Sequence, residues 1–140
     1  MKILLAVDGS KFTKKMLAYL ATHEESFGAG HDYTVLTVQP PLPPRARTAV
    51  GSDVVNDYYR DEAEKIHRPI VKFLARHGIT PKTVAKVGPA GETIARVADS
   101  GKFDLLVLGS HGHGTLGNLV LGSVATQVLA RSKVPALIVR

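Results

Sequence analysis

Residues 104 to 130 constrain this chain more than any other stretch. They read D-L-L-V-L-G-S-H-G-H-G-T-L-G-N-L-V-L-G-S-V-A-T-Q-V-L-A. Leu105 to Leu108 form a short apolar run with no polar break, which suits a strand buried on both faces. A glycine-rich loop runs from Gly109 to Gly122. Ser123, Val124, Val128 and Leu129 then open a helical pattern, with Ser123 placed to cap it. A buried strand, a glycine loop and a helix start together make an anion site. Glycine lets the backbone N–H groups approach phosphates closely, and the helix start adds unpaired N–H groups and the positive end of its dipole.

Two familiar glycine patterns do not fit this stretch. Gly112, Gly114 and Gly117 match G-x-G-x-x-G, but that dinucleotide fingerprint belongs to the first strand–helix turn, with an acidic residue about 20 residues further on. Here it lies near the end of the sequence, and no acidic residue follows Asp104. The stretch Gly117 to Ser123 resembles a phosphate loop but lacks its lysine, since Asn118 and the residues after it supply none before Ser123.

The rest of the chain alternates strands and helices. Lys2 to Val7 reads as a first strand, apolar on both faces, ending at Asp8-Gly9-Ser10. Ser10 or Asp8 can cap the next helix, whose apolar positions are Phe12, Met16, Leu17 and Leu20, and Gly28 and Gly30 close it. Tyr33 to Val38 is a second strand, left through the proline-rich Gln39 to Pro44. Arg45 to Ser52 reads as a mobile loop. A long helix follows, about Asp53 to His77, with a kink or a break expected at Pro69. Lys82 to Val87 is a third strand. Gly88-Pro89-Ala90-Gly91 turns into a helix with Ile94, Val97 and Ala98 on one face, and Pro135 to Val139 is the fifth strand. Such alternation implies a parallel α/β sheet covered on both faces, with ligands beyond the carboxyl ends of the strands. Asp8, Val38 and Gly109 all fall on that edge.

Composition sets the outer bounds. One hundred and forty residues make one domain, and 44% hydrophobic content is enough for a real core. No apolar run approaches the roughly 20 residues of a membrane span. A start that leads straight into a strand implies no signal peptide, and the absence of cysteine excludes disulfide and thiolate chemistry, so the expected setting is the cytosol. The net charge of +6 is spread out, apart from Lys11, Lys14 and Lys15 and the pair Arg45 and Arg47. Without interleaved aromatics it reads as a solvated basic surface that favours a nucleotide's approach, not as a nucleic-acid interface.

A third spacing in the glycine loop fits in full. Gly109-x2-Gly112-x9-Gly122-Ser123 resembles the nucleotide-binding motif of the universal stress proteins, and Ser110-His111, the opening K-I-L-L-A-V-D-G-S and the closing V-P-A-L-I-V look like that family too. The resemblance covers nearly the whole chain. It implies a single universal-stress-protein domain over residues 1–140. The implied fold is a Rossmann-like, three-layer α/β sandwich around a five-stranded parallel sheet in the order 3-2-1-4-5. It also implies adenine-nucleotide binding (ATP, or ADP or AMP), with Mg²⁺, and a homodimer through Ala136 to Val139.

Residue by residue, the resemblance brings Asp8 and Gly109 near the ribose and has Gly112, Gly122 and Ser123 cradle phosphates. Val38 presents backbone groups to the adenine edge, Ala6, Val7, Leu108 and Val124 line the walls, and His111 belongs to the motif. His113 departs from the family, which commonly has Arg or Lys there. Each assignment has a plainer counterpart: Asp8 as a turn former, the glycines as a tight turn, Ser123 as a cap. His111 and His113 form an H-x-H pair, but no third metal ligand is evident. The remaining histidines, His23, His31, His67 and His77, read as surface or boundary residues.

No serine–histidine–acid trio and no carboxylate pair lies near the loop. A nucleotide-binding regulatory module is therefore favoured over a slow ATPase or self-phosphorylating enzyme, a protein with an empty pocket, or a nucleic-acid binder. Gly122→Val is expected to block phosphate approach with little loss of fold, and deleting Pro135 to Arg140 to abolish the dimer.

Overall fold

The computed structural model describes residues 1–114 and 120–140; Gly117, singled out in both glycine patterns above, and Asn118 lie outside them. Strand β1 (Lys2–Ala6) runs at the centre of the sheet, with Ile3, Leu4 and Leu5 fully buried. Helix α1 (Lys11–Thr22) buries Thr13, Met16, Leu17 and Leu20, and Ser10 caps it by accepting the Phe12 N–H at 3.3 Å.

Helix α1 does not run on to Gly28. Thr22 Oγ1 and His23 Nδ1 both donate to the carbonyl of Tyr19, at 3.1 and 2.8 Å, the acceptor that the His23 N–H would need to continue the helix, and that N–H turns to the Leu20 carbonyl instead. A separate single turn, α2 (Glu24–Phe27), carries the chain to Gly28. Strand β2 (Asp32–Gln39) follows. The stretch expected to be a mobile loop is instead helix α3 (Pro44–Val50). Pro44 sits in its first turn, where a fixed φ helps and the missing N–H costs nothing, and its interior is arginine and alanine. Gly51, at φ +84°, separates α3 from α4 (Ser52–Arg76). Helix α4 passes Pro69 without a break; both Pro69 and Lys65, whose carbonyl loses its partner, are on the exposed face.

Strand β3 (Lys82–Val87), helix α5 (Ala90–Ser100), strand β4 (Leu105–Gly109), helix α6 (Ser123–Arg131) and strand β5 (Ala136–Val139) complete the order. The five strands form one all-parallel sheet, β3-β2-β1-β4-β5. Alternation along the strands splits the core in two. Ile3, Leu5, Tyr33, Val35 and Val107 pack on one face with Met16, Leu17 and Leu20 of α1 and Ile70 and Leu74 of α4. Leu4, Ala6, Leu36, Leu106 and Leu108 pack on the other with Ile94 and Ala98 of α5 and Ala125 and Val128 of α6. His67, read above as a surface or boundary residue, is buried on the inner side of α4.

Candidate functional site

Strands β1 and β4 are neighbours, yet the chain leaves β1 toward α1 on one face and leaves β4 toward α6 on the other. The two exits diverge, and a crevice opens between them at the carboxyl ends of the strands. It encloses about 320 Å³. All eleven residues assigned to the site line it: Ala6, Val7 and Asp8 from the end of β1; Val38 from β2; Leu108, Gly109, His111 and Gly112 from β4 and its loop; Gly122, Ser123 and Val124 from the start of α6.

Sequence reasoning left Thr13, Ala90, Ile94, His113, Gly114 and Ala125 out of the set. Ile94 and Ala125 lie on apolar helix faces and read as ordinary core, because periodicity does not show which core positions sit level with the ends of the strands. Eight of the lining residues, Ala6, Val7, Val38, Ala90, Ile94, Leu108, Val124 and Ala125, are apolar. The polar groups come from the loops, as in a site that buries an apolar body and holds a polar end.

Asp8 is held firmly. Its Oδ1 accepts from the Ser10 N–H at 2.9 Å and from Thr13 Oγ1 at 3.1 Å, and its own N–H donates to Thr13 Oγ1 at 3.2 Å. Asp8 is thus a turn former, and Ser10 is the cap. Oδ2 takes no hydrogen bond from the described residues and lies over Gly112, where an added Cβ would sit 2.8 Å from it. A carboxylate with one oxygen engaged and the other open to a cleft is an acceptor for a ligand hydroxyl or amine.

The backbone of Val38 is set out by strand geometry. The β1–β2 ladder ends with Ala6 opposite Leu36 and the Val7 N–H on the Leu36 carbonyl at 2.9 Å. Gln39 turns the other way, its carbonyl accepting from Gly88. Val38, two residues past Leu36, aims its N–H and C=O to the Leu36 side, where β1 no longer runs. They form a donor–acceptor pair at the cleft.

The glycine loop is packed as well as open. The Gly122 N–H donates to the Ser110 carbonyl at 2.7 Å. A Cβ on Gly122 would lie 3.1 Å from His111 Cα, and one on Gly109 would lie 2.7 Å from Phe12 Cβ. Neither glycine has a positive φ; close approach is what requires them. Gly122 is buried and not in the open surface loop expected, so the side chain of Gly122→Val would press on the His111 and Ser110 backbone, which must give by a few tenths of an ångström to admit it.

The cap of α6 also differs from expectation. Gly122 occupies the N-cap position and Ser123 is the first helical residue, exposed, with no side-chain cap on the helix. The first-turn N–H groups belong to Ser123, Val124 and Ala125, all of which line the cleft. Two histidines stand nearby. Ser110 Oγ and His111 Nδ1 are 2.8 Å apart, and the His111 ring lies 5.0 Å from that of Phe12. His113 Nε2 donates to the Asp8 carbonyl at 2.8 Å, bridging the loop to the turn after β1. Among the described residues no group of three or more His, Asp or Glu could hold a metal ion.

A sequence profile of the universal stress protein family matches residues 1–140. A universal stress protein of Synechocystis is 32% identical over 140 residues, a match that takes in 99% of this chain and 42% of that protein. One from Thermus aquaticus is 29% identical over 139 residues, covering 99% and 97%. This chain therefore spans under half of the first relative and nearly all of the second.

The solved structure of universal stress protein UspA from Lactobacillus plantarum superposes with a TM-score of 0.82 at 22% identity, covering 100% of this chain and 97% of that one. Three others share the fold and hold nucleotides. A universal stress protein with cAMP has a TM-score of 0.67 at 23% identity (100% and 96% covered). One from Archaeoglobus fulgidus with dAMP has 0.71 at 20% (100% and 98%). One from Arabidopsis thaliana with AMP has 0.69 at 17% (99% and 90%).

Proposed function

This chain belongs to the universal stress protein family, and from that premise we propose that residues 1–140 act as one nucleotide-binding domain whose cleft takes an adenine nucleotide. ATP, ADP and AMP are the candidate ligands, and relatives of the same fold hold AMP, dAMP and cAMP. The observation that carries the reading is the uncapped start of α6, with its first-turn N–H groups on residues that line the cleft. A helix start open to a crevice binds an anion through the N–H groups and the dipole.

The remaining parts fit the rest of the ligand. Val38 offers the base edge a backbone donor and acceptor, the apolar walls accept its faces, and Asp8 Oδ2 accepts from a ribose hydroxyl. Lys11, Lys14 and Lys15 make no ion pair with the described residues, and no acid sits in the first turn of α1, so they draw anions toward this end of the molecule. A Mg²⁺ arriving with the nucleotide would take its ligands from phosphate oxygens and water, with Asp8 the one carboxylate on the cleft. In this reading the protein is a cytoplasmic regulatory module of the stress response and not an efficient catalyst. It is a homodimer paired through β5, whose outer edge is bare.

Mass spectrometry of small molecules released from the freshly purified protein, followed by calorimetry with AMP, ADP and ATP with and without Mg²⁺, tests the reading. Co-purified adenine nucleotide or saturable heat is expected, and weaker binding in Asp8→Asn. Neither nucleotide nor heat would mean that the loop serves only the fold.

A further inference from the structure

A second cavity, about 260 Å³, lies between α4 and the β2–β3 edge of the sheet. His67 lines it, nine-tenths buried, and its Nε2 has no hydrogen-bond partner among the described residues. The surroundings do not suit an imidazolium. From α4 the cavity receives Tyr59, Arg60 and Glu64, and both charges are already paired, Arg60 with Asp57 at 2.6 Å and Glu64 with Arg68 at 3.3 Å. From β2 it receives Gln39, and from β3 Thr83, Ala85 and Val87, with no charge among them. Lys82 and Lys86 alternate to the opposite face of β3. Burial pushes the His67 imidazole below its ordinary range.

The same region is tied to the cleft. Gln39 Nε2 donates to the Tyr59 carbonyl at 2.7 Å, and the Leu42 N–H donates to Tyr59 Oη at 2.8 Å. These bonds fasten α4 to the segment that leaves β2, and Val38 is the residue next to Gln39. When His67 takes a proton, an imidazolium stands in a buried position with no acceptor at Nε2 among the described residues. Relief requires α4 to lift or water to enter, and Tyr59 moves with the helix.

We propose that His67 is a positioning residue for the cleft: neutral, it lets α4 seat on the β2–β3 edge and hold Val38 in place; protonated, it loosens that seat and weakens ligand binding. The inference rests on the nucleotide reading of the cleft. A bound phosphate would add an electrostatic attraction at the cleft that is separate from this effect.

Adenosine separates the two effects, because it has no phosphate for the cleft histidines to attract. Its affinity for the native chain should fall by about fivefold or more between about pH 7.5 and about pH 5.5, the lower end of ordinary site-to-site coupling. In His67→Phe and in His67→Gln the profile should be flat. A native profile that is itself flat, or one unchanged in both variants, overturns the proposal.

Amide exchange on the unliganded chain gives an independent readout. Protection along residues 55–68 and at Gln39 should drop at the lower pH in the native chain and stay level in the variants; equal protection at both pH values overturns the proposal. In the double variant Gln39→Leu, Tyr59→Phe, which removes both bonds, acid should still loosen α4 but no longer change adenosine affinity, and a retained pH effect there would sink the coupling. If no nucleotide and no adenosine binds at the higher pH, the nucleotide reading fails, while the exchange data still decide the role of His67 in seating α4.

Discussion

Gly122 shows how one atom can be misread from sequence. As a letter in a glycine-rich run it stands for space left to a phosphate. In the structure a Cβ there would lie only 3.1 Å from His111 Cα and 3.3 Å from the Ser110 carbonyl oxygen. Gly122→Val should therefore destabilise the fold by about 1–3 kcal/mol, the usual cost of overpacking, and chemical denaturation would show it as a lower midpoint with an unchanged slope. Unaltered stability would mean that the loop yields freely. Asp8 was easier to read: its position at the end of an apolar strand marks both a turn former and a cleft residue, and Asp8 is both, one role for each oxygen.

His67 was harder, because a histidine among charged helical neighbours looks solvated in sequence. Its pH dependence has a definite sign. The folded state lowers its affinity for protons, so the unfolded chain takes up the proton first as pH falls. His67 contributes no loss above the unfolded value of about 6.5; stability drops below it and levels off once the folded form also titrates. Urea denaturation of the native chain and of His67→Phe across that range should show an acid loss in the first that is smaller in the second.

At the scale of elements, the buried strands and the bounds of α4 and α5 were legible, while the end of α1 and the whole of α3 were not. Strands β1 and β4 are continuous apolar runs because they lie in the middle of the sheet with helices on both faces. Strand β3, on the edge and largely exposed, still had clean bounds because Ile79 to Pro81 and Gly88 punctuate it. Helix α1 ended early through side-chain bonds to its own carbonyls, which composition does not reveal. Helix α3 was missed because prolines before it suggested a loop, although Pro44 starts a helix well.

Pro69 was read as a kink or a break, but α4 runs on, since the ring and the orphaned carbonyl at Lys65 meet water and not the core. That explanation is testable. If the proline is merely tolerated, Pro69→Ala should raise stability by about 1–2 kcal/mol, less than the full helix penalty because the unfolded chain also gains freedom. A loss of stability would show that the sheet needs the bend a proline imposes.

For the whole molecule the open question is what covers the second edge of the sheet. Strand β5 pairs with β4 on one side only, and its Ala136, Leu137 and Ile138 are half-buried. An apolar edge left bare invites pairing, and pairing with its own copy about a two-fold axis closes it. Deleting Pro135 to Arg140 is a poor test of that idea, because Val139 is part of the core and its carbonyl accepts the Ser110 N–H at the start of the glycine loop. The truncation would damage the cleft along with the edge.

The ladder offers a cleaner one. The carbonyls of Pro135 and Val139 point to β4, taking the Leu106 and Ser110 N–H groups, so the odd positions face inward and the N–H of Ala136 faces out. Ala136→Pro removes that outward donor and adds a ring to the edge at the first residue of the strand, where proline is tolerated. The native chain should sediment as a dimer of 15.0 kDa subunits, and Ala136→Pro as a folded monomer with the same far-ultraviolet dichroism. A dimer that survives the substitution would place the interface away from β5, and a native chain that is already monomeric would leave this edge to another partner.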